Sequence, residues 1–474
     1  MRIIHVSAEV AHFAKVGGLG DVVHDLANTF SRNHDVEVVI PFYERLCKTN
    51  SNLNKILDFK FFFEKEHTAS AIQTQKDSIA ITFIRTNYRN FFDRDNIYGF
   101  SDDPQRFACF CSAAAEYIYQ QSLTTRIHVV HLHDWHAALT AGLLKDKKNF
   151  NSKIVFTIHN FSHRGYFPLS SMRKTSLSPK TLQVYQLERD PNSGCLMRGG
   201  ILLSHAITTV SPGYSKEMLE DRSDEDISRA LINSQDKFQG ILNGINVSYW
   251  NPETDNLIHQ KYPSNPEKIQ QIISGKSRNK SFLLKTLGLP QNSDPLVCVI
   301  SRLVHQKGLS FMLQAVEHAE KESYKIILLG QCGDDHSKKI MEEARNKIQG
   351  SERIFMRLEY DEPLAHLVYA GADIILIPSL FEPCGLTQLI GMRYGTVPIV
   401  RKTGGLRDTV TNLENGFVFS EANDPNEFLN TLKEALRTYR DHFPLWKKLI
   451  RQGISSDYSW KKSEISYLSI YSDS

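Results

Sequence analysis

The sequence predicts an α/β protein built on two doubly wound parallel sheets. Short apolar runs alternate with longer stretches patterned for helices, and the runs are rich in Ile and Val at successive positions, as strands buried on both faces are. A polar, proline-rich stretch separates two sets of such runs. At roughly 150 residues per domain, 474 residues suit about three domains or two large ones.

The first set comprises Ile3–Val6, Val36–Ile40, Ile79–Ile84, Ile127–Leu132, Ile154–Ile158 and Ala206–Val210. The second comprises Leu296–Ile300, Lys325–Leu329, Arg353–Met356, Ile374–Ile377 and Val397–Val400. Between them Asn251 to Pro295 carries Pro252, Pro263, Pro266, Pro290 and Pro295, which reads as a domain boundary near Asn246–Asn251 followed by a surface connection. Polar residues follow many of the strands, and open parallel sheets bind ligands beyond their carboxyl ends. A cleft between two domains is the expectation.

Bulk composition excludes several classes. With 56 Lys+Arg against 53 Asp+Glu the formal charge is +3, which argues against polyanion binding by overall charge and so against a nucleic-acid partner. A chain 41% hydrophobic and 23% charged is not disordered, collagenous or a coiled coil as a whole. Seven cysteines without a C-x-x-C spacing suggest reduced thiols and a cytoplasmic protein. The N-terminus meets His5 and Glu9 too early for a signal peptide, the strand expected from near Arg2 leaves no room for a transit peptide, and nothing approaches the roughly 18 apolar residues of a membrane span.

Five segments carry chemistry. Lys15-Val16-Gly17-Gly18-Leu19-Gly20-Asp21 joins the first strand to a helix running to about Phe30. Its glycines and helix-start amides suit close approach of an anion, with Lys15 adding charge; a tight turn with a solvated lysine fits equally. Val23 stands where a dinucleotide fingerprint needs its third glycine, and no Walker A motif occurs. His131-Leu132-His133-Asp134 has the alternation of two ligands on one strand face, but no second ligand cluster accompanies it. Asp134 reads better as a strand-end contact to substrate, and His131 as a hydrogen-bonded core residue. His159 ends the strand Ile154–Ile158 and suits either donation to a sugar oxygen or a structural role. Arg302 and Lys307, before a helix starting near Ser310, have the chemistry of a diphosphate clamp, against the alternative of scattered surface cations. Glu382-Pro383-Cys384-Gly385-Leu386-Thr387 opens a helix through Tyr394 whose first amides suit a second anionic group; Glu382 reads as a cleft carboxylate or as a helix-start charge. Cys384 has no neighbouring base to activate it as a nucleophile.

Together these segments resemble the bacterial glycogen synthase and plant starch synthase family. The matching blocks run almost end to end: Lys15–Asp21, His131–Trp135, Thr157–Asn160, Val210–Pro212, Ile241–Gly244, Ser301–Gly308, Pro378–Gln388 and Tyr394–Val410. The resemblance implies the GT-B fold, two doubly wound Rossmann-like domains facing across a cleft. It divides the chain into residues 1–245, 246–456 and a closing segment 457–474 whose helix, about Lys461–Tyr471, returns to the first domain. It implies retaining transfer of glucose from ADP-glucose to the non-reducing end of an α-1,4-glucan such as glycogen, without metal or cofactor. Lys15 with Gly17 and Gly18 would approach the donor phosphates and glucose, while Arg302 and Lys307 would neutralise the leaving diphosphate. Glu382 would contact the donor glucose, and the backbone at Cys384, Gly385, Leu386 and Thr387 would receive sugar and phosphate. Asp134, His159 and Asn243 would line the reaction side, with Tyr98 reaching toward the acceptor. Two positions depart from the family pattern: Asn246 replaces the usual Asp after Asn243-Gly244-Ile245, and Arg407 fills a place usually small. Two other functions stay open at this stage, a UDP-glucose enzyme of the same fold and a catalytically inactive glucan-binding regulator. Phosphorylase is disfavoured because no pyridoxal-phosphate lysine motif is matched.

Overall fold

A computed structural model describes residues 1–47, 53–319, 321–420 and 426–472. The chain forms two compact units, Met1–Asn243 with Trp460–Ser474, and Gly244–Ser459. The structure has the GT-B class of architecture, with a Rossmann-like unit in each half.

In the first unit, β1 (Arg2–Val6), β2 (Asp35–Pro41), β3 (Asn54–Phe63), β4 (Lys65–Lys76), β5 (Ile79–Thr86), β6 (Val129–His133) and β7 (Lys153–Ile158) belong to one sheet. A small antiparallel ribbon pairs β8 (Tyr166–Pro168) with β9 (Ser193–Cys195), after which β10 (Ala206–Thr209) and β11 (Phe238–Gly240) complete the main sheet. Its order is β11-β10-β7-β6-β1-β2-β5-β4-β3. Every pairing is parallel except those of β4 with β3 and β5. The chain steps from β1 outward to β2, then returns to place β6 on the other side of β1. That reversal opens a crevice beyond the carboxyl ends of β1 and β6.

The second unit holds β12 (Leu296–Ile300), β13 (Lys325–Leu329), β14 (Ile354–Arg357), β15 (Ile374–Ile377), β16 (Val397–Arg401) and β17 (Phe417–Phe419). All pair in parallel, in the order β14-β13-β12-β15-β16-β17. Its reversal lies between β12 and β15, so residues after Ile300 and after Ile377 share the ligand-binding edge. β12, β13 and β15 are buried along nearly their whole length, which is why their sequences lack alternation.

The structure differs from the sequence reading in its strands and in one helix. The antiparallel extension β3–β4 and the short strands β8, β9, β11 and β17 are absent from that reading. The stretch expected to be a surface connection contains the helix Ile269–Thr286, packed into the second unit with Ile272, Leu283 and Leu284 buried. Its buried face also carries Lys276, Asn279 and Lys280, and that polarity disguised it. Lys276 Nζ donates to the carbonyls of Tyr369 and Ala370, at the end of the helix Glu362–Gly371, and to Thr396 Oγ1. Among the described residues no helix is long and apolar enough to cross a membrane.

The last helix, Trp460–Ser472, lies in the first unit. The ring of Tyr471 lies 5.2 Å from that of Phe30, tilted against it, and its hydroxyl is 2.7 Å from His131 Nδ1, while Ser463 Oγ donates to the Leu242 carbonyl.

Candidate active site

At the crevice of the first unit, the loop after β1 leads into the helix Gly18–Ser31, capped by Gly17. Glu9, almost fully buried, shapes this loop. Its Oε2 accepts from the amides of Val16 (2.6 Å) and Gly17 (3.1 Å), and its Oε1 from Tyr98 Oη (2.7 Å). Burial raises the pKa of Glu9. Lys15 Nζ lies 2.8 Å from Asp21 Oδ1 at the solvent-facing start of the helix. The structure therefore ties Tyr98 to the Lys15–Gly18 loop through Glu9. Sequence reasoning missed Glu9, because a lone glutamate beyond a strand carries no spacing signal.

Asp134 follows β6 with φ +58°, an uncommon backbone conformation for a residue with a Cβ. Its Oδ1 accepts from the amides of His159 (2.7 Å) and Asn160 (3.3 Å), so the carboxylate holds the loop after β7. Burial pushes its pKa up to about 7. The ligand-like alternation at His131 and His133 resolves into hydrogen bonds. His131 reaches Tyr471 Oη and Thr157 Oγ1 (2.6 Å), and His133 reaches His5 and His159 at 3.0 Å each. Nitrogens of His5, His131 and His133 come within 4.8 Å of one another, yet both nitrogens of His131 and His133 already serve these neighbours. Asn243, also buried, has an Oδ1 without a hydrogen-bond partner among the described residues.

In the second unit, Arg302 is exposed, and its guanidinium has no partner among the described residues. Lys307 ends a short 3₁₀ turn, His305–Lys307, and its Nζ donates to Glu382 Oε2 at 2.5 Å. Ser379 Oγ donates to the same oxygen at 2.8 Å, and Glu382 Oε1 has no partner among the described residues. The loops after β12 and β15 are stitched by Leu380 N to Gln306 O at 2.8 Å. Gly385 has φ +73°, and Leu386 caps the helix Thr387–Arg393. Gln388 Nε2 donates back to the carbonyls of Cys384 and Gly385. Cys384 is buried. The arrangement places two cations and one carboxylate on one sheet edge, which suits an anionic leaving group beside a hydroxylated ring.

The family described as starch synthase catalytic domain matches residues 2–233, and glycosyl transferases group 1 match residues 287–454. Glycogen synthase of Chlamydia felis is 41% identical over 477 residues, covering 99% of each chain. That of Chlamydia trachomatis serovar A is 41% identical, covering 99% of this chain and 100% of its own. The chain belongs to the glycogen and starch synthase family. As a member of that family it is a glycosyltransferase. The catalytic domain of starch synthase IV from Arabidopsis thaliana, bound to ADP and acarbose, superimposes with a TM-score of 0.91 at 32% identity, covering 99% of this chain and 98% of that one. Sucrose-phosphate synthase from Thermosynechococcus elongatus, at 15% identity and a TM-score of 0.63, shares the fold alone.

Both departures from the synthase pattern have a local reading. Asn246 Oδ1 accepts from the amides of Ser248 (3.2 Å) and Tyr249 (3.1 Å), a capping task that an amide oxygen performs without a carboxylate's charge. Arg407 lies on the exposed side of the helix Gly404–Thr409, where its bulk displaces no core residue.

Proposed function

We propose that this glycosyltransferase moves glucose from ADP-glucose to the 4-hydroxyl at the non-reducing end of an α-1,4-glucan, with retention at the anomeric carbon. The grouping of Arg302, Lys307 and Glu382 at the switch point of the second sheet carries this reading. A nucleotide sugar leaves a diphosphate, and fixed cations stabilise the charge that develops on it. Lys307 is held by Glu382 now and would turn to the diphosphate on binding, while Glu382 Oε1 accepts from hydroxyls of the donor glucose. Lys15 with the Gly17-Gly18 turn, and the backbone from Cys384 through Gly385 and Leu386 to Thr387, contribute further contacts to phosphate and sugar. Asp134 positions His159, and His159 and Asn243 meet the reacting side. Tyr98 faces the acceptor. The ADP and acarbose named with the Arabidopsis structure support an adenine nucleotide and a glucan-like acceptor.

Chemically, the acceptor hydroxyl attacks on the face from which the diphosphate departs, through an oxocarbenium-like state. The leaving phosphate takes the acceptor proton, so no protein nucleophile is needed. Positioning and charge stabilisation supply the acceleration. The free cysteines fit a reducing cytoplasm.

Initial rates with ADP-glucose and UDP-glucose, on glycogen and on free sugars, test the substrate assignment. ADP-glucose with glycogen is expected to be preferred; a strong preference for UDP-glucose and a small acceptor would overturn it. Arg302→Ala and Glu382→Ala are each expected to lower kcat by roughly 10²–10³-fold, the scale of losing one charge-stabilising contact. Near-normal turnover in both variants refutes the site.

A further inference from the structure

Three histidines cross the first sheet in a hydrogen-bonded line. His5 on β1 and His133 on β6 are fully buried, and His159 follows β7 at the carboxyl edge, half-buried. His5 Nδ1 lies 3.0 Å from His133 Nε2, and His133 Nδ1 lies 3.0 Å from His159 Nε2. Among the described residues, His5 Nε2 at one end is buried without a partner, and His159 Nδ1 at the other has no hydrogen bond. Burial keeps all three rings neutral, pushing His5 and His159 down to about 3 and His133 well below its usual range.

A neutral imidazole carries one N–H and one bare nitrogen. Each contact needs one donor and one acceptor, so every donation along the line runs the same way. If it runs from His159 inward, the proton left over sits on His5 Nε2 as a buried, unpaired N–H. If it runs from His5 outward, the atom left over is a bare nitrogen. Orphaned buried donors are rarer than under-satisfied acceptors. The outward direction wins, and all three rings then carry their proton on Nδ1.

We infer that His5 and His133 are positioning residues that hold His159 with its proton on Nδ1, so that it offers a neutral N–H donor to an oxygen of the bound sugar. This rests on the proposed glucosyl transfer for its chemical consequence, though not for its tautomer. A donor locked in this way does not act as a base on the acceptor hydroxyl, which agrees with leaving that proton to the departing phosphate.

Long-range proton–nitrogen correlation spectra of the full chain carrying ¹⁵N-histidine read each tautomer directly. Protonated Nδ1 and bare Nε2 at His5, His133 and His159 are expected. Protonated Nε2 at any of the three, or a stoichiometric metal found by elemental analysis of the same sample, overturns the inference. His5→Asp sets an acceptor-only carboxylate against His133 Nε2, which reverses the line and is expected to move His159 to the Nε2–H form. Its kcat should fall roughly 10–100-fold, the scale of losing an orienting partner. His5→Asn, whose amide N–H stands near the position of Nδ1, should keep both tautomer and turnover. Wild-type turnover in His5→Asp would defeat the positioning role. Failure of the wild type to transfer glucose would defeat the proposed function, and the spectra would still decide the tautomers.

Discussion

At Gly308 the backbone has φ +78°, and an added Cβ would stand 2.1 Å from the Pro378 carbonyl oxygen. This close approach brings the loop after β12 against the loop after β15, and Lys307 to Glu382 with it. Gly308→Ala is expected to destabilise by about 1–2 kcal/mol from the left-handed conformation alone. The displaced Pro378 carbonyl adds to that. Turnover should fall more than melting temperature, since the loops carry the cations; unchanged turnover would show that the loop contact is dispensable. Residue spacing made Lys15, Arg302, Lys307 and Glu382 legible, because each lies in a segment that follows a strand and contains a glycine or proline. Glu9 was not legible. Its importance comes from accepting two loop amides and the Tyr98 hydroxyl, which sequence distance hides.

The strands with both faces buried were readable as continuous apolar runs, and their ends agree with the sequence reading within one or two residues. β3 and β4 were overlooked because they extend the sheet edge with only one face covered. In β3 the buried Phe59, Phe61 and Phe63 alternate with exposed residues, a period-two pattern present but unread. The helix Ile269–Thr286 looked like solvent-facing chain because lysine and asparagine sit on its inner face, where they bond to carbonyls. The closing helix Trp460–Ser472 makes a specific polar contact with the sheet through Tyr471 and His131. Tyr471→Phe leaves His131 Nδ1 buried and unpaired, an expected cost of about 1–3 kcal/mol. Urea unfolding of the full chain checks it. No shift in midpoint would mean that His131 finds another partner there.

Among the described residues, every buried histidine except His366 lies in the first unit. His5, His131, His133, His136 and His159 all have lowered pKa values, chiefly from burial. The unfolded chain protonates them near 6.5, and the folded chain resists down to about 3 for His5 and His159. Their contribution to stability is therefore present above about 6.5 and lost as pH falls, at about 1.4 kcal/mol per pH unit for each proton taken up on unfolding. Asp134 and Glu9, with raised values, bind protons in the folded state and oppose this over part of the range. Five histidines against two carboxyls set the net sign. Urea midpoints are expected to drop between about pH 7 and about pH 5, with hydrogen exchange rising first in the sheet of the first unit. An equal or higher midpoint at the lower pH would contradict the argument. Fold class, the positions of most strands along the chain and the motif residues at strand ends were legible in the amino-acid order, because burial periodicity and glycine placement are local properties. The histidine line, the Glu9 anchor and the Asp134 grip on the His159 loop were not, because each joins strands far apart in the chain. Hydrogen-bond partners and burial arise only when the crossovers bring β1, β6 and β7 side by side.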